Sequence, residues 1–324
     1  MRPADTVYFG GGTPSVLSAE QLCQLLFAVK DAFSVTDNAE ITIEVNPENA
    51  DATFFARLKE GGFNRLSIGV QSLHNDTLKF LGRGHTSEKA ISAVKLARGA
   101  GFDNISLDIM LSLPNENSER TIETVLKVAD LSPEHISCYM LMLEEKTALF
   151  AKKDTLSLPD EEQVSSEYEK VCDILSQKGY SHYEISNFCK EDKESRHNLK
   201  YWNDKEYIGI GPSAYSFVDK ERFHYENNLH AFIKAPECVS DGAGGDFYEY
   251  IMLKLRLKNG INEKEIKRLF SKKFSSNFYS QAETLRESGF AFFENGNFAF
   301  TDKGMLVSNT LICDMTQEDM YEDL

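Results

Sequence analysis

The stretch TVYFGGGTPS at residues 6–15 joins a short run of strand-forming residues to three consecutive glycines. Valine, tyrosine and phenylalanine favour a β-strand, and the glycines allow a tight turn in which the backbone passes close to a ligand. Ser18 follows at the N-cap position of a helix that begins AEQL. The stretch therefore predicts a β-strand, a ligand-binding turn and an α-helix. It matches neither the dinucleotide fingerprint nor a P-loop, because the required later residues are missing.

The same pattern of strand and helix repeats along the first half of the chain. Strands are predicted at residues 6–9, 40–45, 65–70, 104–111 and 135–141. A helical segment follows each of the first four strands. This spacing is typical of a parallel sheet with right-handed helical crossovers, either doubly wound or forming a partial barrel.

Polar residues stand at or just past the ends of three consecutive predicted strands. They are Glu44, Gln71 and Asp108, and each is one repeat from the next. Ligands of parallel α/β folds bind at the carboxyl ends of the strands, where the following loops and helix N-termini converge. We therefore expect these three side chains to share one rim with the glycine turn.

Beyond Leu143 the regular alternation stops. The pattern predicts a helix over residues 159–178, a strand over 180–186 and short strands within 206–225. The glycine-rich stretch SDGAGG at 240–245 predicts a linker.

The C-terminal part combines helices with a hairpin signal. Helices are predicted at 247–257, 263–270 and 276–288, and Asn295-Gly296 predicts a two-residue hairpin turn. This combination is typical of a winged-helix-like module. The predicted domains are a partial barrel at 1–155, a barrel extension with short strands at 156–239 and the winged-helix-like domain at 240–324.

Composition narrows the classes of function. The chain has 324 residues, with 35 basic and 51 acidic side chains and a formal net charge of −16. Nucleic-acid binding normally needs a net basic footprint, so the charge predicts no nucleic-acid partner. No apolar run has the length of a membrane span or the form of a secretory signal, which predicts a cytoplasmic protein without an integral membrane segment.

Several motifs follow the first one in a fixed order. They are IEVNPE at 43–48, SIGVQS at 67–72, LGRGH at 81–85, SLDIMLSLP at 106–114, YEISNF at 183–188, HNLKYW at 197–202 and GIGPSAYS at 209–216. With YFGGGTPS, this series resembles the radical S-adenosylmethionine (radical SAM) family. Within that family it is similar to the branch of oxygen-independent coproporphyrinogen III oxidase and the HemW-type haem chaperones. The resemblance implies a partial (β/α)6 TIM-like barrel with a helical C-terminal extension.

The resemblance also implies S-adenosyl-L-methionine as a cofactor. The residues at the positions of the family pattern are Gly10, Gly11, Gly12, Thr13, Glu44, Gln71, Arg83 and Asp108. The cofactor has an ammonium group, a carboxylate, a sulfonium and ribose hydroxyls. A guanidinium suits the carboxylate, whereas carboxylate and amide side chains suit the ammonium group and the hydroxyls.

Radical chemistry in this family also needs a [4Fe-4S] cluster, held by a C-x3-C-x2-C loop after the first barrel strand. The six cysteines are scattered through the chain at 23, 138, 172, 189, 238 and 313, and none forms such a loop. We therefore expect no metal ligands in this chain and an N-terminal truncation before Met1 that removes the first βα unit. The cluster, and a reductant such as flavodoxin or ferredoxin, are expected only in a full-length form. An exposed barrel edge would also favour self-association.

HNLKYW resembles a signature of the haem-chaperone branch. Its residues His197, Asn198, Tyr201 and Trp202 imply haem or porphyrin as cargo, because histidine can ligate iron and aromatic rings can stack on a porphyrin. The alternative is a structural histidine beside core aromatic residues. His182 and His224 also lie among aromatic residues and are alternative ligands.

Three functions are compatible with the sequence. The first is a haem chaperone-like radical SAM protein that binds haem and delivers it to an acceptor protein. The second is an oxygen-independent coproporphyrinogen III oxidase of porphyrin biosynthesis, in which a radical removes hydrogen from propionate side chains. The third is a cluster-free binding module. Whether the chain is an enzyme stays open, and no catalytic residue is assigned.

Overall fold

The structure is a computed structural model that describes residues 3–145, 147 and 149–324. The N-terminal truncation that we predict before Met1 falls outside these residues. The chain divides into two compact units, Met1–His197 and Asn198–Leu324. Each unit is described by itself.

The first unit is built on a seven-stranded sheet with the order β1-β2-β3-β4-β5-β7-β6. Its strands are β1 (Ala4–Phe9), β2 (Val35–Val45), β3 (Arg65–Gln71), β4 (Ile105–Leu111), β5 (His135–Met140), β6 (Ser181–Glu184) and β7 (Asn187–Cys189). The strands β1 to β5 pair in parallel, whereas β7 is antiparallel to both β5 and β6. The predicted succession of five parallel strands is confirmed.

Helices connect the parallel strands. They are α1 (Ala19–Ala32), α2 (Ala52–Gly61), α3 (Asn75–Phe80), α4 (Ser87–Gly99), α5 (Ser118–Asp130) and α6 (Glu161–Gln177). Ser18 forms a capping box with Gln21 at the start of α1, and Asp51 caps α2 by accepting a hydrogen bond from Phe54 N at 2.8 Å. At the end of α2, Gly62 has a φ of 100°, a conformation that favours glycine. These caps fix where the chain leaves the sheet and returns to it.

The core of this unit lies between the sheet and its helices. Every residue of β3 is buried, as expected for a central parallel strand that is covered on both faces. Phe55 on α2 is fully buried and meets Phe102 edge to face, with ring centroids 6.4 Å apart. This packing holds the α2 helix against the strands whose ends form the site described below.

The strand predicted over residues 180–186 is present but shorter, as β6 (Ser181–Glu184), and the turn that follows it was not predicted. The structure has a hairpin of β6 and β7 with a turn at Ile185 and Ser186. The Glu184 carboxylate accepts a hydrogen bond from Ser186 N at 3.1 Å and so closes the turn locally. A carboxylate that bonds to the backbone two residues later stabilises a turn that the apolar pattern does not show.

The second unit contains three small sheets with the orders β10-β9-β8, β11-β14-β13 and β12-β15. Its strands are β8 (Tyr215–Val218), β9 (Glu221–Tyr225), β10 (Cys238–Ala243), β11 (Ile261–Asn262), β12 (Lys272–Phe274), β13 (Ala291–Glu294), β14 (Asn297–Phe300) and β15 (Tyr321–Asp323). Its helices are α8 (Leu229–Lys234), α9 (Phe247–Lys254), α10 (Glu263–Phe270), α11 (Ser276–Glu287), α12 (Asp302–Leu306) and α13 (Ser308–Met315). A further helix, α7 (Arg196–Trp202), contains the division between the units.

Two local predictions in the second unit have opposite outcomes. The hairpin turn at Asn295 and Gly296 is confirmed, since both residues have positive φ values, 52° and 74°, between β13 and β14. The linker predicted at 240–245 is instead largely strand β10. Its register shifts between Ser240 and Gly242, and the φ of 95° at Gly242 permits this irregularity. The division into three domains stays a prediction.

Across the described ranges, no helix is both long and apolar enough to cross a lipid bilayer.

The packing of Phe55 predicts a large effect of its removal. Phe55→Ala should lower the free energy of unfolding by about 3 to 5 kcal/mol, because it removes buried surface and leaves a cavity. Urea denaturation measures this change. Phe27→Ala is the matched control, since the Phe27 side chain on α1 is 74% exposed and its loss should leave the midpoint unchanged. Equal midpoints for all three proteins would contradict the described core.

Candidate functional site

The candidate site begins at the glycine turn after β1. Gly11 and Gly12 have φ values of 77° and 57°, and a Cβ at either position would have no atom within 4 Å. A Cβ at Gly10 would lie 2.4 Å from the Tyr8 ring and 2.8 Å from the Glu44 carboxylate. Glycine at position 10 therefore allows Glu44 to approach, while the next two glycines leave open space beside the backbone.

Glu44, near the end of β2, anchors this turn. Its carboxylate accepts hydrogen bonds from the Tyr8 hydroxyl at 2.8 Å and from Gly11 N at 3.2 Å. Burial raises the pKa of Glu44, the charge of Asp108 adds to this rise, and the bonds from Tyr8 and Gly11 oppose it. The carboxylate is thus held in a fixed position at a partly desolvated rim.

Asp108 on β4 is the second carboxylate of the site. It accepts hydrogen bonds from Ser67 Oγ at 2.8 and 3.0 Å and from Ser106 Oγ at 3.1 Å. Burial raises its pKa, while these bonds and the charge of Arg65 lower it. Glu44 lies opposite Ser67 in the register of β2 and β3, and the Ser67 hydroxyl donates to Asp108, so the two carboxylates neighbour the same residue of β3. Two neighbouring carboxylates at a desolvated rim suit a cationic ligand.

Gln71 ends β3 in a left-handed conformation with a φ of 65°. The strand register shifts between Gly69 and Gln71, and a Cβ at Gly69 would lie 2.9 Å from the Gln71 amide. The Gln71 Oε1 atom accepts a hydrogen bond from the Tyr139 hydroxyl at 3.2 Å. The irregular strand end therefore brings the Gln71 amide to the same rim, where backbone strain is typical of functional positions.

Arg83 completes the charged part of the site. Burial and the charges of Asp108 and Glu44 raise the pKa of the Tyr139 hydroxyl, whereas the charge of Arg83 lowers it. Within the described part of the chain, no carboxylate forms an ion pair with the half-buried Arg83. A guanidinium without a protein counter-ion is available to an anionic group of a ligand.

The structure places the predicted residues Glu44, Gln71 and Asp108 on three neighbouring strands, and Arg83 lies in the loop between α3 and α4. The predicted turn glycines lie beside Glu44, and Thr13 connects to β2 less directly, since its Oγ1 accepts a hydrogen bond from Asn46 Nδ2 at 3.5 Å. Four side chains of the site were missed, namely Tyr8, Ser67, Ser106 and Tyr139. Their position on strands close to the predicted residues is the one sequence signal that could have indicated them.

The predicted haem residues lie on α7, and the division between the units separates His197 from the others. The His197 ring stacks on Tyr8 with centroids 4.9 Å apart and an interplanar angle of 22°. Its Nδ1 atom lies 2.9 Å from Thr6 Oγ1, and its backbone N donates to Glu40 at 3.0 Å. His197 therefore packs against the tyrosine that binds Glu44.

In the second unit, Asn198 and Trp202 are half-buried and Tyr201 is 36% exposed. The Trp202 Nε1 atom is buried without a hydrogen-bond partner among the described residues, and the Arg256 guanidinium lies 5.8 Å from the Trp202 ring. Burial raises the pKa of Tyr201 to about 12. Of the two alternative histidines, His182 stacks on Phe188 with centroids 4.3 Å apart. The other, His224, stacks on Tyr215 at 4.9 Å.

The cysteines do not fit a four-iron cluster. Cys138, Cys172 and Cys189 are buried, and burial raises the pKa of Cys138 and raises that of Cys189 to about 12. A raised pKa disfavours the thiolate that a cluster requires. Among the described residues, no group of three cysteines places its sulfur atoms close enough to share a metal.

Comparisons with known proteins identify the family to which the chain belongs. The Radical SAM superfamily profile matches residues 1–128. The heme chaperone HemW of Lactococcus lactis subsp. lactis is 33% identical over 316 residues, which span 94% of this chain and 83% of that protein. The chain belongs to the heme chaperone HemW family. The heme chaperone HemW of Bacillus subtilis is 32% identical over 318 residues, with 94% of this chain and 83% of that protein covered.

A solved structure supports the fold of this HemW family member. Coproporphyrinogen III oxidase (HemN) from Escherichia coli, a radical SAM enzyme, superposes with a TM-score of 0.80 at 22% identity. The match covers 98% of this chain and 78% of that chain. It shows a mixed α/β fold with a curled half-barrel sheet, and the family resemblance predicted from the sequence motifs is confirmed.

The raised pKa of Glu44 predicts how stability depends on pH. The pKa of Glu44 is higher in the folded protein than the ordinary value of 4.5 that it has in the unfolded chain. Glu44 therefore lowers the free energy of unfolding as the pH rises above 4.5. Glu44→Gln should make the decline between pH 5 and 8 less steep. Urea denaturation across this range measures the slopes, with Glu60→Gln, at an exposed position on α2, as control. A Glu44→Gln slope equal to that of wild type would refute the assignment.

Proposed function

We propose that this protein binds haem and delivers it to an acceptor protein, and that it also binds S-adenosyl-L-methionine at the rim formed by β1 to β4. The observation that supports the haem function best is its similarity to heme chaperone HemW proteins over most of both chains. The HNLKYW segment, with a histidine followed by two aromatic residues on one helix, supports the same function.

The chemistry of the rim supports the cofactor. Glu44, Gln71 and Asp108 suit the ammonium group and the ribose hydroxyls, whereas Arg83 suits the ligand carboxylate. The open space beside Gly11 and Gly12 gives the ligand access to backbone groups. In its family the cofactor supplies a 5′-deoxyadenosyl radical when a reduced cluster is present. Because the cysteines of this chain do not fit a cluster, we propose that the rim binds the cofactor.

We also propose a cluster, a reductant, a cellular location and a domain division for this protein. A form of the protein that has cluster cysteines would use a [4Fe-4S] cluster and a reductant such as flavodoxin or ferredoxin. A cytoplasmic location agrees with six free cysteines, since reducing compartments keep thiols unpaired. We also propose the division at 1–155, 156–239 and 240–324, with a winged-helix-like last domain. The oxidase of porphyrin biosynthesis stays the alternative function, since coproporphyrinogen III oxidase (HemN) shares the fold.

The cofactor proposal predicts selective loss of binding. Arg83→Ala and Asp108→Asn should each raise the Kd for S-adenosyl-L-methionine about tenfold or more, because each removes a charged partner worth about 1.5 to 3 kcal/mol. Equilibrium dialysis with labelled ligand measures this. Arg57→Ala is the control, since Arg57 is 55% exposed and pairs with Glu20 on the surface. Unchanged affinity in both site variants would exclude this rim.

The haem proposal predicts quenching of the single tryptophan. Titration with hemin should quench Trp202 fluorescence in the wild-type protein, because a nearby porphyrin accepts excitation energy from the indole ring. His197→Ala should weaken the binding about tenfold, as expected for loss of an iron ligand. His230→Ala, which removes an exposed histidine on α8, should behave like wild type. Absence of any saturable hemin binding by the wild type would contradict the haem function itself.

A further inference from the structure

The sheet β8-β9-β10 presents a row of three cross-strand neighbours. Tyr215 on β8 lies opposite His224 on β9, and His224 lies opposite Val239 on β10. Directly opposed residues of antiparallel strands project to the same face of a sheet. Tyr215 is 57% exposed and Val239 is 38% exposed, so two accessible apolar side chains flank the histidine.

The ring of His224 is held in place from two directions. It stacks on the Tyr215 ring with centroids 4.9 Å apart and an interplanar angle of 25°. Its Nδ1 atom lies 2.9 and 3.0 Å from the two carboxylate oxygens of Asp241. Since a carboxylate accepts hydrogen bonds, Nδ1 is the protonated nitrogen. In the neutral imidazole Nε2 then has the free lone pair, and this atom has no hydrogen-bond partner in the described part of the chain.

This arrangement matches the way proteins prepare a histidine for a metal. A ligating imidazole usually donates its second N–H to a carboxylate or carbonyl, which fixes the ring and makes the ligating nitrogen more basic. The buried His135 has no such free nitrogen. Its Nδ1 lies 2.8 Å from Ser106 Oγ, and its Nε2 lies 2.8 Å from the Tyr183 hydroxyl.

The number of available ligands identifies the kind of metal. A protein-bound zinc ion needs at least three protein ligands. Among the described residues, no group of three histidine, cysteine or acidic side chains at metal-ligand distance includes His224. Haem iron already has four porphyrin nitrogens and needs one axial ligand from the protein. An accessible histidine between exposed apolar side chains therefore suits haem and not a bare ion.

We propose that His224 is an axial ligand of haem iron, held by Asp241 and flanked by Tyr215 and Val239, which contact the porphyrin face. The inference rests on the proposed haem function and names an iron ligand for it. It is independent of the role of His197, because His224 lies outside the HNLKYW segment and haem iron accepts two axial ligands.

The test is a hemin titration of the full chain, followed by the Soret absorbance. His224→Ala should raise the Kd for hemin about tenfold or more and shift the Soret maximum, and added imidazole should restore the wild-type spectrum. Asp241→Asn should weaken binding about 10- to 100-fold, the range for partners that orient a ligand. His230→Ala is the matched control, because it removes an exposed histidine from the same unit.

The outcomes separate this inference from the function on which it rests. A wild-type Kd and spectrum in both His224→Ala and His224→Gln would overturn the inference, and so would identical effects of His230→Ala and His224→Ala. If the wild-type chain does not bind hemin, the proposed haem function fails and the inference fails with it. Circular dichroism of each variant separates loss of the ligand from loss of folding, and the two substitutions at residue 224 provide a second chance of a folded variant.

Discussion

The hydrogen bond from Tyr8 to Glu44 is the contact on which the candidate site depends. It joins the first two parallel strands at their carboxyl ends, at 2.8 Å, and places the carboxylate beside the glycine turn. Burial of the carboxylate makes its charge costly unless donors or a cation compensate it. Tyr8 and Gly11 supply donors, and a positively charged ligand would supply the rest.

The parallel sheet explains why distant residues meet. Glu44, Gln71 and Asp108 come from three neighbouring strands, and parallel pairing places the carboxyl ends of these strands at one edge. The pairing also accounts for Ser67, whose hydroxyl bonds to Asp108 across the β3 and β4 strands. Helix α7 places the His197 ring against the Tyr8 ring, and the His197 Nδ1 atom lies 2.9 Å from Oγ1 of Thr6, which is on the same strand as Tyr8.

The sequence predicted most of the repeated elements of the first unit, because their strand and helix patterns and the caps at Ser18 and Asp51 depend on local chemistry. Helix α3 and the first five residues of β2 were not predicted. The hairpin of β6 and β7 was missed because its turn depends on one carboxylate bond at Glu184. Strand β10 was missed because glycines usually disfavour strands, and here Gly242 takes part in an irregular register.

The site was predicted in part for a related reason. Glu44, Gln71 and Asp108 could be assigned to one rim, because the strand repeat fixes the ends on which they stand. Tyr8 and Tyr139 could not be assigned, since a tyrosine on a strand is usually part of the core. Their hydroxyl partners become visible only when the strand registers place them beside Glu44 and Gln71.

The close approach at Gly10 has an evolutionary consequence. A single added carbon at this position would overlap the Tyr8 ring and the Glu44 oxygen, which belong to two different strands. Residues 8, 10 and 44 therefore cannot vary independently. A homologue with a larger residue at the position of Gly10 needs a smaller or differently placed side chain at the position of Tyr8 or Glu44. Substitutions at these three positions should therefore covary among homologues.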